Sequence, residues 1–176
     1  MTATPWQHMS GGERLRWVVS HWRYLIPLLV ISVGFLAMTV PMFAPLPVVP
    51  NFALLLVFLW AIYRPHQLPA WTGFFAGLCG DIVLGTAVGA NAMLIPLFIV
   101  AVQATSGIVQ RASWLGDWML CAPMLFIYHA VLWKLVAFGS GELPFLPLLT
   151  QAAASLAAYP VLAFVFARIQ RRLDRL

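Results

Sequence analysis

The sequence predicts an all-α membrane protein, with six transmembrane helices in a compact bundle. The 176-residue chain is 62% hydrophobic and only 9% charged, and its mean hydropathy is +0.91. This composition excludes a soluble domain of the same size, because the surface of such a domain must be largely polar and charged. Six apolar runs follow one another along the chain, and most basic residues lie at the ends of these runs.

The six runs set the predicted organisation of the chain. They cover about residues 24–43, 48–63, 70–88, 91–109, 118–138 and 148–167. The second run is short against the roughly 20 residues that cross a bilayer, so it needs Pro47 to Pro50 or a locally thinned membrane. Residues 1–23 form a cytoplasmic tail, in which 13–23 are either a short interfacial helix or an ordinary basic flank. Residues 168–176 form a second, basic cytoplasmic tail.

The basic residues predict the orientation of the helices. Nine arginines fall on one side of the six-span arrangement, and only Lys134 falls toward the other side. The positive-inside rule then places both termini in the cytoplasm. Because the basic residues lie at the ends of the predicted helices, the net charge of +5 is explained by membrane topology and does not indicate binding of nucleic acid. The nine are Arg14, Arg16, Arg23, Arg64, Arg111, Arg168, Arg171, Arg172 and Arg175.

The third run carries a regular stripe of small residues. Small residues and one acid recur at every fourth position, which forms a slowly winding line on one face of a helix. Glycine at this spacing lets another backbone approach closely, so the stripe predicts a packing or docking face. The stripe consists of Gly73, Gly77, Asp81, Gly85 and Gly89.

Asp81 is the only acidic residue inside any predicted span. If the third helix enters the membrane near Ala70, Asp81 lies about 16 Å deep, near the middle of a layer roughly 30 Å thick. A carboxylate at that depth is costly unless it is paired, so Asp81 is a candidate functional residue. Two interpretations stay open: Asp81 binds a partner or ligand, or it accepts hydrogen bonds inside the bundle.

Polar residues at the ends of the runs are further candidates. Asn51 follows a proline at the start of the second span, where it is expected to cap the helix. Asn91 lies where the chain turns into the fourth span. Arg64, Pro65 and His66 form a short basic connection, whose prolines predict a rigid turn between antiparallel helices.

Catalytic and metal chemistry is not indicated by the sequence. The four histidines are scattered rather than set at ligand spacing, and no glycine loop has the form that holds phosphate. Cys79 and Cys121 are expected to be buried small hydrophobic residues. His129 either pairs with Asp81 as an intramembrane acid and base or is an ordinary hydrogen-bonded residue. We predict no enzyme, no catalytic residue, no metal and no cofactor.

Taken in order along the chain, these residues and their neighbours include Pro50-Asn51-Phe52, Arg64-Pro65-His66, Gly73, Gly77, Leu78, Asp81, Gly85 and Gly89. This ordered combination resembles the pattern of the MreD family, the rod shape-determining inner-membrane proteins of bacteria. The length, the six spans and the basic tail are also similar. The resemblance implies a fold similar to the substrate-binding subunits of energy-coupling-factor transporters. It also implies a non-enzymatic scaffold of the elongasome, which supports cell shape through lateral peptidoglycan synthesis.

The resemblance also implies the partners. An MreC-like single-span protein is expected to bind directly, and MreB, RodA and its penicillin-binding transpeptidase to act indirectly. The face from Gly73 to Gly89, with Asp81, is expected to shape the bundle and its docking surface for MreC. Arg64 and His66 are instead expected to meet MreB or lipid head groups. Membrane lipids and a second copy of the chain complete the expected partners, and nucleic acid is not among them.

A small-solute-binding subunit of a membrane transporter is the alternative function. It draws on the same central carboxylate, together with prolines inside three spans that are expected to open a cavity. Six short spans without an energy-converting domain would need a partner to move a solute. The prolines are Pro96, Pro123 and Pro160.

Overall fold

The computed structural model describes residues 11–39, 49–108, 114–140 and 145–173. Side chains are described within 24–39, 49–106, 116–137 and 145–172. All regular structure in these ranges is helical, so the prediction of an all-α chain with six helices is confirmed. The helices are α1 (Gly11–Thr39), α2 (Phe52–Tyr63), α3 (Ala70–Leu84), α4 (Ala90–Ile108), α5 (Trp114–Ser140) and α6 (Leu146–Leu173), with a 3₁₀ turn at Pro65–Gln67.

The helices differ in how well they suit a membrane span. Gly116–Ala137 and Leu146–Arg172 are long and apolar enough to cross a bilayer, whereas the other described apolar segments have 10–17 residues. Large apolar side chains point outward along the bundle: Leu29, Ile82 and Phe164 are 64%, 70% and 62% exposed. An exterior of this kind suits lipid better than water. The topology of six spans stays a prediction.

Helices consecutive in the chain run in opposite directions, so α2 and α6 run in the same direction and their basic C-terminal ends lie together. The C-terminal ends of α2 and α6 meet where the rings of Trp60 and Phe166 pack edge to face, with centroids 5.0 Å apart. Near the same point, the Tyr63 hydroxyl donates to Asp117 at the start of α5 (2.9 Å). We call this the basic end of the bundle. The described arginines there are Arg64, Arg168, Arg171 and Arg172.

The core is built around α2, which is buried along nearly its whole length. It contacts α1, α4 and α6, so it is apolar on all sides rather than on one face. Asn51 caps it, as predicted, because its side-chain oxygen accepts from the Leu54 amide (3.0 Å). The Asn51 amide donates to Ser155 of α6 (2.7 Å), which fixes the end of the bundle opposite the basic end.

The third helix ends earlier than the sequence predicts. Residues to 88 were expected to be helical, but α3 ends at Leu84 because Gly85 adopts a left-handed conformation with φ of 64°. Gly89 also has a positive φ, 101°. Left-handed glycine commonly ends helices because it has no side chain to clash. The prediction of five stripe positions on one helix is therefore wrong: Gly85 and Gly89 lie in the turn between α3 and α4.

The helices α1 and α6 extend furthest beyond the predicted spans. The helix α1 begins at Gly11 and runs without a break to Thr39, so residues 13–23 belong to the same helix as the first predicted span. The helix α6 continues to Leu173 and takes in most of the predicted basic tail. Residues 1–10 and 174–176 of the predicted tails, and the proline-rich turn at 40–48, lie outside the described residues.

Candidate functional site

The carboxylate of Asp81 lies in the last turn of α3 and points at the start of α4. It is 1% exposed and accepts five hydrogen bonds. One oxygen accepts from the amides of Gly89 (2.8 Å) and Ala92 (3.2 Å). The other accepts from the Thr86 hydroxyl (2.8 Å), the Asn91 amide (3.0 Å) and the Asn91 side chain (2.9 Å). Since a carboxylate offers about four lone-pair sites, Asp81 is saturated by its own chain.

Asp81 acts as the cap of a helix to which it does not belong. The first amides of a helix lack partners inside that helix, and a residue at the N-cap normally accepts from them. Gly89 precedes α4 and has no side chain, so Asp81 supplies the acceptor. A negative charge also suits the positive end of the helix dipole. Asp81 was predicted near the middle of a span, but the structure places it at the loop end of the hairpin formed by α3 and α4.

The main chain of Asp81 ends α3 in the same place. Its carbonyl oxygen accepts from the amide of Gly85 and from the amide of Thr86 (3.2 Å). This arrangement satisfies a carbonyl that would otherwise lack a partner at the end of the helix. One residue therefore ends α3 through its main chain and begins α4 through its side chain.

A third helix joins this site through Tyr128 of α5. Its hydroxyl donates to the side-chain oxygen of Asn91, whose amide group also donates to Thr86 (3.2 Å). Tyr128 is 3% exposed, and its ring packs against Phe98 of α4 with centroids 5.6 Å apart. We call Asp81, Thr86, Asn91 and Tyr128 the Asp81 cluster. It fixes α3, α4 and α5 to one another.

Thr86 and Tyr128 were missed by the sequence analysis. A hydroxyl in the turn after Asp81 was a usable signal for Thr86, because turn residues often bond nearby helix ends. The contact of Tyr128 with Asn91 spans 37 positions of sequence, and no local pattern reports such a pair.

The glycine face of α3 packs against helices of the same chain. A Cβ atom added at Gly77 would lie 2.7 Å from the Cα of Ala92 and closer still to the Asn91 carbonyl. One added at Gly73 would lie 2.5 Å from Ile99 of α4. At Gly77 the close atoms belong to the backbone, so only glycine permits this approach of α3 and α4. At Gly73 the close atom is the end of the flexible Ile99 side chain, which has to shift if a larger residue is placed there.

The opposite face of α3 is exposed and bulky. Four large apolar side chains lie on it: Trp71 is 53% exposed, Phe74 44%, Phe75 49% and Ile82 70%. Cys79 lies among them and is exposed, so the prediction that it is buried is wrong. Cys79 lies on the side of α3 that faces away from α4. Cys121 is buried, as predicted.

The turn at Arg64, Pro65 and His66 lies at the basic end, away from the Asp81 cluster. The Arg64 amide donates to the Trp60 carbonyl (2.9 Å), which ends α2. Gln103 of α4 donates to the carbonyl of Leu68 just beyond the turn (3.1 Å). His66 is exposed. The two groups of predicted site residues are therefore not brought together.

His129 is buried in α5 but does not join the Asp81 cluster. Its Nδ1 atom lies 2.8 Å from the Leu125 carbonyl, one turn earlier in the same helix. Its Nε2 atom is buried and has no hydrogen-bond partner within the described residues. The neighbouring Tyr128 reaches the cluster instead. Over the same part of the chain, no group of three His, Cys, Asp or Glu side chains could hold a metal ion.

Of three comparisons with known proteins, the one with family models identifies the family. The comparisons with the curated proteins and with the solved structures find no match for this chain. The predicted likeness to subunits of energy-coupling-factor transporters therefore stays a prediction. The family model described as rod shape-determining protein MreD matches residues 19–172. Because this match covers most of its 176 residues, the chain belongs to the MreD family of rod shape-determining membrane proteins.

Proposed function

We propose that this protein is a non-enzymatic scaffold of the cell-wall elongation machinery in the bacterial inner membrane. It binds an MreC-like single-span protein and helps maintain rod shape through lateral peptidoglycan synthesis, beside MreB, RodA and its penicillin-binding transpeptidase. The observation that carries this proposal is the family match over residues 19–172. The basic end faces the cytoplasm in this proposal, since arginines concentrate on the inner side of a membrane.

The Asp81 cluster supports a scaffold because its polar groups hold helices in place. Both carboxylate oxygens of Asp81 and the side chain of Asn91 are used within the bundle. The close contact at Gly73 and Gly77 fixes the same hairpin of α3 and α4. A hairpin held in this way presents the outer side of α3 in a constant orientation, which a partner helix requires for specific packing.

We assign the docking surface to the exposed side of α3, which we call the α3 outer face. It comprises Trp71, Phe74, Phe75, Cys79 and Ile82. Lipid chains solvate such a face as well as protein does, so the partner must gain its affinity from shape and close packing. The glycine face shapes the bundle in this proposal, and the outer face meets the MreC-like span.

Transport of a small solute is not favoured by the site. The central carboxylate suggested it, but the Asp81 oxygens accept five hydrogen bonds from their own chain. A solute that bound there would have to displace the donors that begin α4. Leaving those donors unpaired in a buried site costs free energy for each group.

Disulfide crosslinking tests the docking surface with a cysteine that the chain already contains. A Cys121→Ala variant retains only the exposed Cys79 and is expressed with an MreC-like partner that carries single cysteines along its span. We expect crosslinks to partner positions that recur every three or four residues, because one side of a helix would face Cys79. The matched control is a Cys79→Ala, Cys121→Ala, Val161→Cys variant, whose cysteine lies on the exposed side of α6.

The expected result is efficient crosslinking from Cys79 and none from position 161. Crosslinks from position 161 but none from Cys79 would contradict the assignment.

The role in the cell is tested separately by depleting the protein from rod-shaped cells. Depleted cells are expected to become round and to recover when the chain is expressed again; cells that stay rod-shaped would contradict the scaffold role.

A further inference from the structure

A groove of about 450 Å³ lies between α1, α2 and α6 and reaches the basic end. Its walls are apolar along most of its length. This volume lies within the range of small-molecule sites, about 300–1,000 Å³. The apolar walls include Ile26, Val30, Leu56, Leu162, Val165 and Phe166.

The polar groups of the groove are confined to one end. Arg64, Gln67 and Gln170 line it there, beside the Trp60 indole, which lies 3.4 Å from the Gln67 side-chain oxygen. A second, smaller depression of about 290 Å³ adjoins this end and is also lined by Arg64 and Gln170. The groove therefore changes from apolar to cationic along its length.

Charge around this end favours an anion. Arg168, Arg171 and Arg172 extend from the last turns of α6 at the same end of the bundle. Among the described residues at this end, the arginines outnumber the acids, since Asp117, which accepts a hydrogen bond from Tyr63 (2.9 Å), is the one acid there. Basic residues at a membrane surface attract anionic lipids, and the planar arginine fork suits the oxygens of a phosphate.

The size of the groove argues against a helix as its occupant. A helix with side chains is about 10 Å wide, so roughly one turn would fill this volume. A single acyl chain is thin and flexible, and its anionic head group would lie beside the cationic end. One acyl chain of an anionic phospholipid thus matches the volume and the apolar walls, and its head group matches the position of the charge.

We propose that this groove, the α2/α6 groove, binds an anionic phospholipid, with one acyl chain along its walls and the phosphate at Arg64. The inference goes beyond the proposed function, because it requires a membrane-embedded bundle but no MreC-like partner. It also separates the lipid site from the α3 outer face, which belongs to a different helix.

Native mass spectrometry of the purified full chain tests the lipid site. The protein is released from nanodiscs that contain equal amounts of phosphatidylglycerol and phosphatidylethanolamine. We expect the wild-type chain to retain phosphatidylglycerol preferentially, and Arg64→Gln to retain about fivefold less. Arg64→Lys is expected to keep most of the binding, since it keeps the charge. Arg171→Gln is the matched control, because it removes the same charge at the same end but does not line the groove.

A second variant tests the groove without changing its charge. Val165→Trp places a large side chain in the apolar wall, at a residue that is 48% exposed, and is expected to lower lipid retention by a similar factor. Equal retention by the wild type, Arg64→Gln and Val165→Trp would overturn the proposal. An equal loss in Arg64→Gln and Arg171→Gln would also overturn it, since that result indicates diffuse surface charge. Crosslinking of Val165→Cys to the span of an MreC-like partner would assign the groove to a helix instead.

Discussion

Asp81 and His129 are both ionisable, and each is only 1% exposed, yet the bundle treats them differently. Asp81 accepts five hydrogen bonds. His129 makes one contact, with the Leu125 carbonyl, and its Nε2 atom has no partner among the described residues. The difference follows from position. Asp81 faces the first turn of α4, where backbone amides lack partners, whereas His129 lies inside α5, where the amides are already paired.

The comparison shows how an acid is held within an apolar chain. A helix terminus provides several donors without any additional polar side chain, and its dipole favours negative charge. An acidic residue in an apolar run therefore has a structural use when another helix begins within its reach. In this protein that helix is α4, which starts at Ala90, nine positions after Asp81 in the sequence.

The largest effect in this comparison is expected from Asp81→Leu. The substitution removes the acceptor of three amides: those of Asn91 and Ala92, which are buried, and that of Gly89, which is partly buried. We expect the free energy of unfolding to fall by about 3–5 kcal/mol, because each donor left without an acceptor costs about 1–3 kcal/mol. Unfolding by SDS in mixed micelles measures it. Asp81→Asn keeps the shape and one acceptor oxygen, so its loss is expected to be smaller. A loss for Asp81→Leu below about 1 kcal/mol would contradict the role of Asp81 as a cap.

The next largest effect is expected from Gly77→Leu, which tests the close contact beside Asp81. A side chain there meets the backbone of Asn91 and Ala92, which cannot move without shifting α4. We expect the free energy of unfolding to fall by about 1–3 kcal/mol, as for other overpacked sites. Cys79→Leu is the matched control, because it adds a similar side chain to the exposed side of the same helix. Equal stability of the two variants would show that the glycine face is not tightly packed.

The smallest effect is expected from His129→Leu. An apolar residue of similar size removes a polar group that is only half satisfied, so the free energy of unfolding should change by less than about 1 kcal/mol. Tyr128→Phe, one position away, removes the hydrogen bond to Asn91 and should lower that energy by about 1 kcal/mol. The same SDS titration compares the two. A larger loss for His129→Leu than for Tyr128→Phe would mean that His129 has a partner in the membrane.

Local patterns were sufficient to predict much of the fold. Apolar runs predicted six helices, the proline before Asn51 predicted the cap of α2, and the prolines after Arg64 predicted a short turn. Each of these features depends on residues within a few positions of one another. The ordered residues also indicated the family that the comparison with known proteins then identified.

Long-range contacts could not be predicted in the same way. Glycine at every fourth position fits a helix face, but Gly85 fits a left-handed helix end equally well. The choice depends on Asp81 meeting Asn91, ten positions away, and on Tyr128, 37 positions beyond Asn91. The sequence therefore indicated Asp81 as important but did not reveal that its partners are the first amides of α4.

Amide hydrogen exchange in the purified protein tests the role of Asp81 most directly. The amides of Gly89, Asn91 and Ala92 are measured by NMR in the wild type and in Asp81→Asn, in lipid and without any partner protein. We predict that all three are protected in the wild type and exchange at least about tenfold faster in the variant, because each loses or weakens its acceptor. Amides that exchange rapidly in the wild type, or at the same rate in both proteins, would contradict the conclusion that Asp81 begins α4 from within the chain.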